Sequence, residues 1–414
     1  MAGYARVPHL AAAACAAAVL AACGTAGATP VVHRGDSVAV RAGSLTARDV
    51  AEAQTAFAVD LLHAVCGRAP GENLLLSPTS AAEALTLLYP AARGETAEAL
   101  GSVLHLPAWS PDLVAAVRDH TRALDGLRYD GDLDDDDAPD ALQMSNRLWT
   151  AAGVRPDQGY LDAIATASDA DVRALDFAGD PDGATDRINS TIDEDTRGII
   201  EKLFDEPLDP GTTAVLTNAV HLKARWAVPF TDTRSAPFAA PSGEVTVEMM
   251  GGSSGAGRAV DGWQSVALPY RDGTLTAVAV LPPEDAAPCT IDAATLAELR
   301  VAEPEQVGVQ LPRLMIEQSH QLLDVLSELG LPADGDWSAL GADGAQITQV
   351  VQKTHLEVDE DGTEAAAATG VAMDVSAAGP PRSVIAFDRP FLFLLADTAT
   401  QSPLFVTVVT DPSS

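Results

Sequence analysis

Residues 360–376 read Glu360-Asp361-Gly362-Thr363-Glu364-Ala365-Ala366-Ala367-Ala368-Thr369-Gly370-Val371-Ala372-Met373-Asp374-Val375-Ser376. By propensity alone, residues 364–368 favour a helix. A period of two sorts the stretch differently. From Thr363 on, one face carries Thr363, Ala365, Ala367, Thr369, Val371, Met373 and Val375. The other carries Glu364, Ala366, Ala368, Gly370, Ala372, Asp374 and Ser376. All the charge falls on the second face, while the first is uncharged, small at its start and larger later. That is the pattern of a strand able to slide into a sheet with one face buried, the Gly362 end entering first. An Ala-rich surface loop is the alternative that alternation alone leaves open.

Working outward, residues 347–358 alternate Thr354, Leu356 and Val358 with polar partners, as a half-buried strand does. Beyond Pro380-Pro381 come further strand candidates at 384–387, 391–396 and 404–409. Upstream, 214–222 is an apolar run and reads as a buried strand. Residues 265–270 and 275–281, separated by Arg271-Asp272-Gly273-Thr274, read as a hairpin. Helical spacing from Thr46 places Ala53, Phe57, Leu61 and Leu62 on one face, and Ser77-Pro78 opens a helix bearing Ala84, Leu87 and Leu88. Residues 319–329 also read as a helix. Helices come first, strands interleave later, and no linker divides the chain, so 46–414 is expected to be a single α+β domain.

Of the 414 residues, 47% are hydrophobic, which supplies a large core and excludes wholesale disorder. With 59 Asp+Glu against 25 Lys+Arg, the net charge is −34 and phosphate backbones are repelled, so no nucleic-acid partner is expected. The acidic run 130–140 reads as a solvated loop, because it lacks the spaced ligands and closing Glu of a calcium site. Arg6 and His9 precede an apolar run over 10–22, too short to span a bilayer, and Leu20-Ala21-Ala22-Cys23 resembles a bacterial lipobox. Residues 1–22 are therefore expected to be a lipoprotein-type signal peptide and Cys23 the lipidated first residue of a secreted protein anchored to the outer face of the membrane. Residues 23–45, rich in Gly, Ala, Ser and Thr, read as a flexible tether. Cys15 leaves with the signal, so Cys66 and Cys289 remain, as a bridge or as two separate thiols. No Cys/His cluster points to a metal, and no cofactor is expected.

Several segments now fall together. The stretch 360–369 resembles the hinge of the serpin reactive-centre loop. Asn73-Leu74-Leu75-Leu76-Ser77-Pro78-Thr79-Ser80 with Ala92-Arg93-Gly94-Glu95-Thr96 is similar to that family's buried helix start. Thr217-Asn218-Ala219-Val220-His221-Leu222-Lys223-Ala224-Arg225-Trp226 with Phe230 resembles its central-sheet segment. Leu268-Pro269-Tyr270, Leu311-Pro312-Arg313 and Asp388-Arg389-Pro390-Phe391-Leu392-Phe393 match as well. The resemblance covers about residues 46–412. It implies a serpin fold: a large central mixed β-sheet, two further sheets, about nine helices and an exposed reactive-centre loop within 360–381.

The function that this resemblance implies is inhibition of serine proteases, not enzymatic turnover. The loop is bait. A target protease attacks it and forms an acyl-enzyme, and the cleaved loop inserts as a strand into the central sheet, distorting the protease. The hinge would comprise Glu360, Gly362, Thr363, Glu364, Ala365, Ala366, Ala367, Ala368 and Thr369. The family's spacing of sixteen residues from the position matching Glu360 places the reactive bond at Ser376–Ala377, within a range of Met373–Gly379 that the loop's length leaves open, and a small residue there suits elastase- or subtilisin-like proteases. The shutter and breach would comprise Ser77, Ser80, Asn218, Trp226 and Gln352. The partner implied is a target protease engaged by a monomer. No heparin is expected, since the matching region ends in the acidic run.

Three positions depart from the family pattern: Thr191 replaces a Trp, Gln352 a His and Thr407 a Gly. Gln352 donates and accepts hydrogen bonds but does not titrate, so a shutter insensitive to pH is expected. Two rival functions are a non-inhibitory serpin-fold binding protein and a serine hydrolase. Charge on the inward hinge face would mark the former, and none is present. Gly251-Gly252-Ser253-Ser254-Gly255 matches the nucleophile-elbow spacing around Ser253, but the elbow needs a following helix, and a flexible hairpin loop fits the context better.

Overall fold

The structure, a computed structural model, describes residues 28–414 except 134, 136, 333, 342–345 and 364–382. Its helices are α1 (Ala47–Arg68), α2 (Pro78–Leu88), α3 (Gly94–Val103), α4 (Pro111–Asp125), α5 (Gln158–Ser168), α6 (Pro181–Asp195), α7 (Ala293–Val301) and α8 (Leu323–Glu328). Its strands are β1 (Val31–His33), β2 (Leu74–Leu76), β3 (Ala141–Ala151), β4 (Val172–Leu175), β5 (Ala214–Arg225), β6 (Asp232–Ala240), β7 (Gly243–Val260) and β8 (Trp263–Pro269). There follow β9 (Leu275–Leu281), β10 (Glu305–Pro312), β11 (Leu314–Gln321), β12 (Ile347–Val358), β13 (Gly362–Thr363), β14 (Val384–Ala386), β15 (Phe391–Asp397) and β16 (Pro403–Val409). The described residues thus hold eight α-helices, with three short 3-10 turns, against the nine or so implied by the resemblance.

The central sheet is mixed, in the order β1-β4-β3-β5-β13-β12-β11. The second runs β14-β10-β7-β8-β9-β15-β16-β2, with β6 added on β7. The two further sheets expected from the resemblance are therefore one continuous ladder. Its link is the 18-residue β7, whose first half pairs with β6 and whose last five residues pair with β8. Between the sheets lies a core that includes Val220, Leu222, Phe238, Val266, Phe391 and Phe405. Helices α1, α2 and α4 pack a second cluster around Phe57, Leu61, Leu85 and Leu88. On the other face of the central sheet, α6 covers Trp149, Val215 and Ala219 with Ile188 and Ile192. Helix α1 starts where Thr46 and Asp49 form a reciprocal cap, each side chain accepting from the other's backbone.

Three expectations are corrected. Residues 28–45 are not a free tether. Val31–His33 pairs antiparallel with β4, Asp36 N donates to Asp162 Oδ1 at 2.8 Å, Val38 N to Thr166 Oγ1 at 3.0 Å, and Ser44 N and Oγ to Asp112 at 3.1 and 2.9 Å. Side chains of α4 and α5 take the strap's backbone donors, so a segment without apolar periodicity is held by hydrogen bonds. Residues 319–329 are not one helix: β11 runs to Gln321 before the short α8 begins. The acidic run is not wholly solvated, because Asp140 is buried and accepts from the backbone of Arg225 and Asp272. Burial pushes its carboxyl up to about 6.

No helix among the described residues is long and apolar enough to cross a membrane.

Candidate functional site

Strands β5 and β12 lie side by side and parallel from Ala214 and Ile347 up to Val220 and Thr354. Above that point they part, and β13 stands between them. Thr363 faces Ala224 on one side and Val358 on the other, and Gly362 faces Arg225. A Cβ on Gly362 would lie 2.1 Å from the Ala224 carbonyl oxygen, so the approach of the two backbones requires glycine. Thr363 is buried, and its hydroxyl shares a hydrogen bond with the hydroxyl of Tyr270.

The Tyr270 ring stacks on Trp226 with centroids 4.4 Å apart. Trp226 in turn fixes the approach to the hinge: its Nε1 donates to the Asp359 carbonyl and its backbone N–H to the Asp361 carbonyl, both at 2.9 Å. The Asp359 carboxylate accepts from the backbone of Asp361 and Gly362 at 2.9 and 3.0 Å, which closes the turn into β13. Glu360 is clasped from outside. Arg313 Nε lies 3.0 Å from both carboxylate oxygens, Nη2 lies 2.7 Å from Oε2, and the Thr233 hydroxyl donates to Oε1. Desolvation alone would raise the Glu360 carboxyl, but the bonds from Arg313 and Thr233 hold it below its ordinary value.

Lower on the same seam, a buried polar cluster ties β5 and β12 to the start of α2. Gln352 Oε1 accepts from Ser77 N–H at 3.0 Å, and its Nε2 donates to the Ser77 carbonyl at 2.9 Å and to Asn218 Oδ1. Asn218 Nδ2 donates to Ser80 Oγ and Asn146 Oδ1, and Ser80 Oγ donates to Asn146 Oδ1 at 2.9 Å. Ser77 Oγ reaches the Leu404 carbonyl at 2.6 Å. All four expected residues are at most 1% exposed, so each unmade bond here would leave a stranded polar group.

Ser77, Ser80, Asn218 and Gln352 thus converge, whereas Trp226 stands above them with the hinge. Glu364, Ala365, Ala366, Ala367, Ala368 and Thr369, the bond Ser376–Ala377, and Cys23 lie outside the described residues. Cys66 and Cys289 are joined, their sulfurs 2.07 Å apart, and link the end of α1 to the turn at Pro288–Thr290. Gly251–Gly255 is not the expected hairpin loop. It lies within β7, paired with β10, and Ser253 Oγ donates to the Val228 carbonyl at 2.8 Å. Gly252, with φ +79°, bends the strand there, and no helix follows as a nucleophile elbow requires. Of the departures, Thr191 is buried with its hydroxyl on the Arg187 carbonyl, and Thr407 is fully buried in β16.

Asn146, Tyr270, Arg313 and Asp359 complete the site and escape a reading by motif role. Tyr270 and Arg313 end short Leu-Pro motifs, but only tertiary pairing shows that they face the hinge. Asn146 is a polar residue within β3, for which sequence offers no other signal.

Comparison with known proteins identifies the family. A family model described as serpin, serine protease inhibitor, matches residues 52–412. An uncharacterised serpin-like protein of Thermococcus kodakarensis is 32% identical over 386 residues, covering 88% of this chain and 86% of its own. The leukocyte elastase inhibitor of Bos taurus is 30% identical, covering 87% of this chain and 98% of its own. The solved structure of a thermophilic serpin, tengpin, in the native state superposes with a TM-score of 0.78 over 92% of this chain and 97% of its own, at 24% identity. With the family model spanning most of its length, the chain belongs to the serpin family.

Proposed function

We propose that this serpin inhibits serine proteases by trapping them during cleavage of its loop. The observation that carries the proposal is β13: Gly362 and Thr363 already stand between β5 and β12, and β5 and β12 pair directly below them. A loop entering behind Thr363 has a ready register. Continued antiparallel to β5, it sets Ala366 beside His221 and Thr369 beside Asn218, with small uncharged side chains on the inward face. The protease serine would attack the carbonyl of Ser376, forming an ester and releasing the amine of Ala377. Insertion then draws the ester-linked protease along the sheet before water can complete hydrolysis. The uninserted fold is a kinetic trap, and the free energy released on strand entry drives the distortion.

A small residue at 376 favours elastase- or subtilisin-like targets, and the similarity to a leukocyte elastase inhibitor supports the same class. The test is direct. Mixed with pancreatic elastase or subtilisin and boiled in SDS, the protein should give a covalent band at the summed mass and release a fragment beginning at Ala377. Loop cleavage without that band would make it a substrate.

Its setting is also proposed: secretion as a monomer, with lipid on Cys23 as its attachment to the outer face of the membrane. Cys23→Ala should release the protein from membranes, and retention by that variant would refute the anchor.

A further inference from the structure

The Cys66–Cys289 bond lies at the surface rather than in the core. Both cysteines are partly exposed. Both line a cleft of about 350 Å³, to which the exposed Gly71, Glu72, Glu284 and Asp285 also contribute. A dissolved thiol has room to approach the pair, and exposed disulfides are the ones that exchange readily.

What the bond holds is the approach to α7. From Cys289 the chain passes through Ile291 and Asp292 into that helix, where Asp292 Oδ1 accepts from Thr295 N at 2.7 Å. Nine residues are too few for a helix to persist alone in water. The grip of the fold on α7 is modest. Leu299 is buried, whereas Ala293, Ala294, Ala297 and Glu298 are exposed. His63 Nε2 lies 2.8 Å from the Ile291 carbonyl, and Arg258 Nε donates to the Ala302 carbonyl at 3.1 Å. A cavity of about 190 Å³ is lined by Leu296 and Leu299 of α7, Leu62 of α1, Val280 of β9, and Leu392 and Leu394 of β15. A void there withholds from α7 contacts that a filled core would supply. The covalent tie and the missing packing therefore fall on the same helix.

We propose that the Cys66–Cys289 bond is a reducible clasp on α7, opened by a dithiol reductant, and that the freed helix uncovers the apolar cavity. A thiolate of the reductant attacks one sulfur of the pair. A mixed disulfide forms, and the other cysteine leaves as a thiolate and takes up a proton. The second thiolate of the reductant then displaces the remaining protein sulfur, which is protonated in turn. Two electrons and two protons pass to the protein as two thiols, and the reductant departs as its own disulfide. A disulfide oxidant restores the clasp by the reverse steps. Among the described residues, none from β5 or β12 lines the cleft or the cavity, so the clasp is separate from the seam that the hinge enters.

The test treats the full chain with dithiothreitol under native conditions. Peptide-resolved alkylation reads the thiols of Cys66 and Cys289. Hydrogen–deuterium exchange reads α7 and the seam before reduction, after it and after reoxidation. Reduction should speed exchange of the α7 amides about tenfold or more, leave residues 216–220 unchanged, and reverse on reoxidation. Fluorescence of anilinonaphthalene sulfonate should rise with reduction as the cavity walls are uncovered. Cys66→Ser combined with Cys289→Ser should exchange at the reduced rate whether or not dithiothreitol is present. If that variant fails to fold, reduction of the native chain carries the test alone. Thiols that become accessible only on global unfolding overturn the clasp. So does a reduced protein whose α7 exchange stays within about twofold of the oxidised rate, or whose α7 and seam loosen together. A reduced form that gains no dye fluorescence refutes the uncovering of the cavity. Trapping of a protease, or its failure, leaves these readouts unaffected.

Discussion

Arg313 grips Glu360 across the mouth of the central sheet, with Nη2 2.7 Å from one carboxylate oxygen and Nε 3.0 Å from both. The pair joins the residue after β10 to the residue two before β13, so its loss is expected to loosen the seat of β13. Arg313→Ala should lower stability by about 1 kcal/mol, since the guanidinium is half exposed and solvent screens the pair. It should also raise the rate of spontaneous conversion to inserted or polymeric forms, read on native gels. The Glu360 value is depressed, so this contribution is present above about pH 4.5 and fades as acid titrates the carboxylate. Glu360→Gln should remove that acid limb from the conversion rate.

Gly362 leaves no room for a side chain against the Ala224 carbonyl. Gly362→Val should expel β13 without touching the lower seam. Amides of Ala224 and Arg225 would then exchange faster, while those of residues 216–220 stay protected. Unchanged exchange at Ala224 would mean that the hinge tolerates the methyls by local adjustment.

Gln352 satisfies both backbone groups of Ser77 and the Asn218 amide oxygen. Gln352→Ala strands Ser77 N–H and Asn218 Oδ1, while the Ser77 carbonyl keeps Ala81 N–H, and a loss of about 2–4 kcal/mol follows from leaving those two groups unpaired. Thermal unfolding at constant scan rate measures it. Gln352→His should instead give the lower seam a pH dependence between 5 and 7 that the native residue lacks.

Asp140 carries a buried carboxyl with its value raised to about 6 by desolvation. A raised carboxyl favours the folded state when protonated, so its contribution is present at low pH and is lost as pH rises from about 4 through 6. Asp140→Asn should abolish that part of the pH–stability curve and gain on the order of 1–2 kcal/mol at pH 7.5, after allowing for residual screening. The amide oxygen replaces only one of the two carboxylate acceptors, so either Arg225 N or Asp272 N loses its partner and part of that gain is offset.

The Cys66–Cys289 disulfide closes a loop of 223 residues. Replacing both cysteines by serine should lower stability by about 2–5 kcal/mol through the wider freedom of the unfolded chain. Equal melting of the native protein with and without reductant would count against this.

The period of two marks Gly362 as the end expected to enter a sheet first, and Gly362 and Thr363 form β13, while residues 364–369 lie outside the described residues. In β12 the observed bounds match the expected 347–358, since Val350, Gln352, Thr354, Leu356 and Val358 alternate as buried positions along one face. The misreadings share a different cause. In β11 the inward positions beyond Ile316 are Gln318 and His320, which bond to the backbone of Asn73 and Leu75. Polar inward residues erase alternation, and the leucines after them then suggest a longer helix. The strap over 28–45 is fixed by backbone donors meeting Asp112, Asp162 and Thr166. Such contacts depend on where α4 and α5 come to lie, which local pattern does not encode. Asp140 is hidden likewise, one buried acid at the end of a run of exposed ones.

The strap has a consequence for geometry outside the fold. Eight peptide steps lead from Cys23 to Val31, a span of at most about 26–29 Å. Val31 is fixed to the outer edge of the central sheet through β4. A lipid on Cys23 would then act as a short leash rather than a long one. Under that proposal the β1 edge would stay within about 26–29 Å of the bilayer surface.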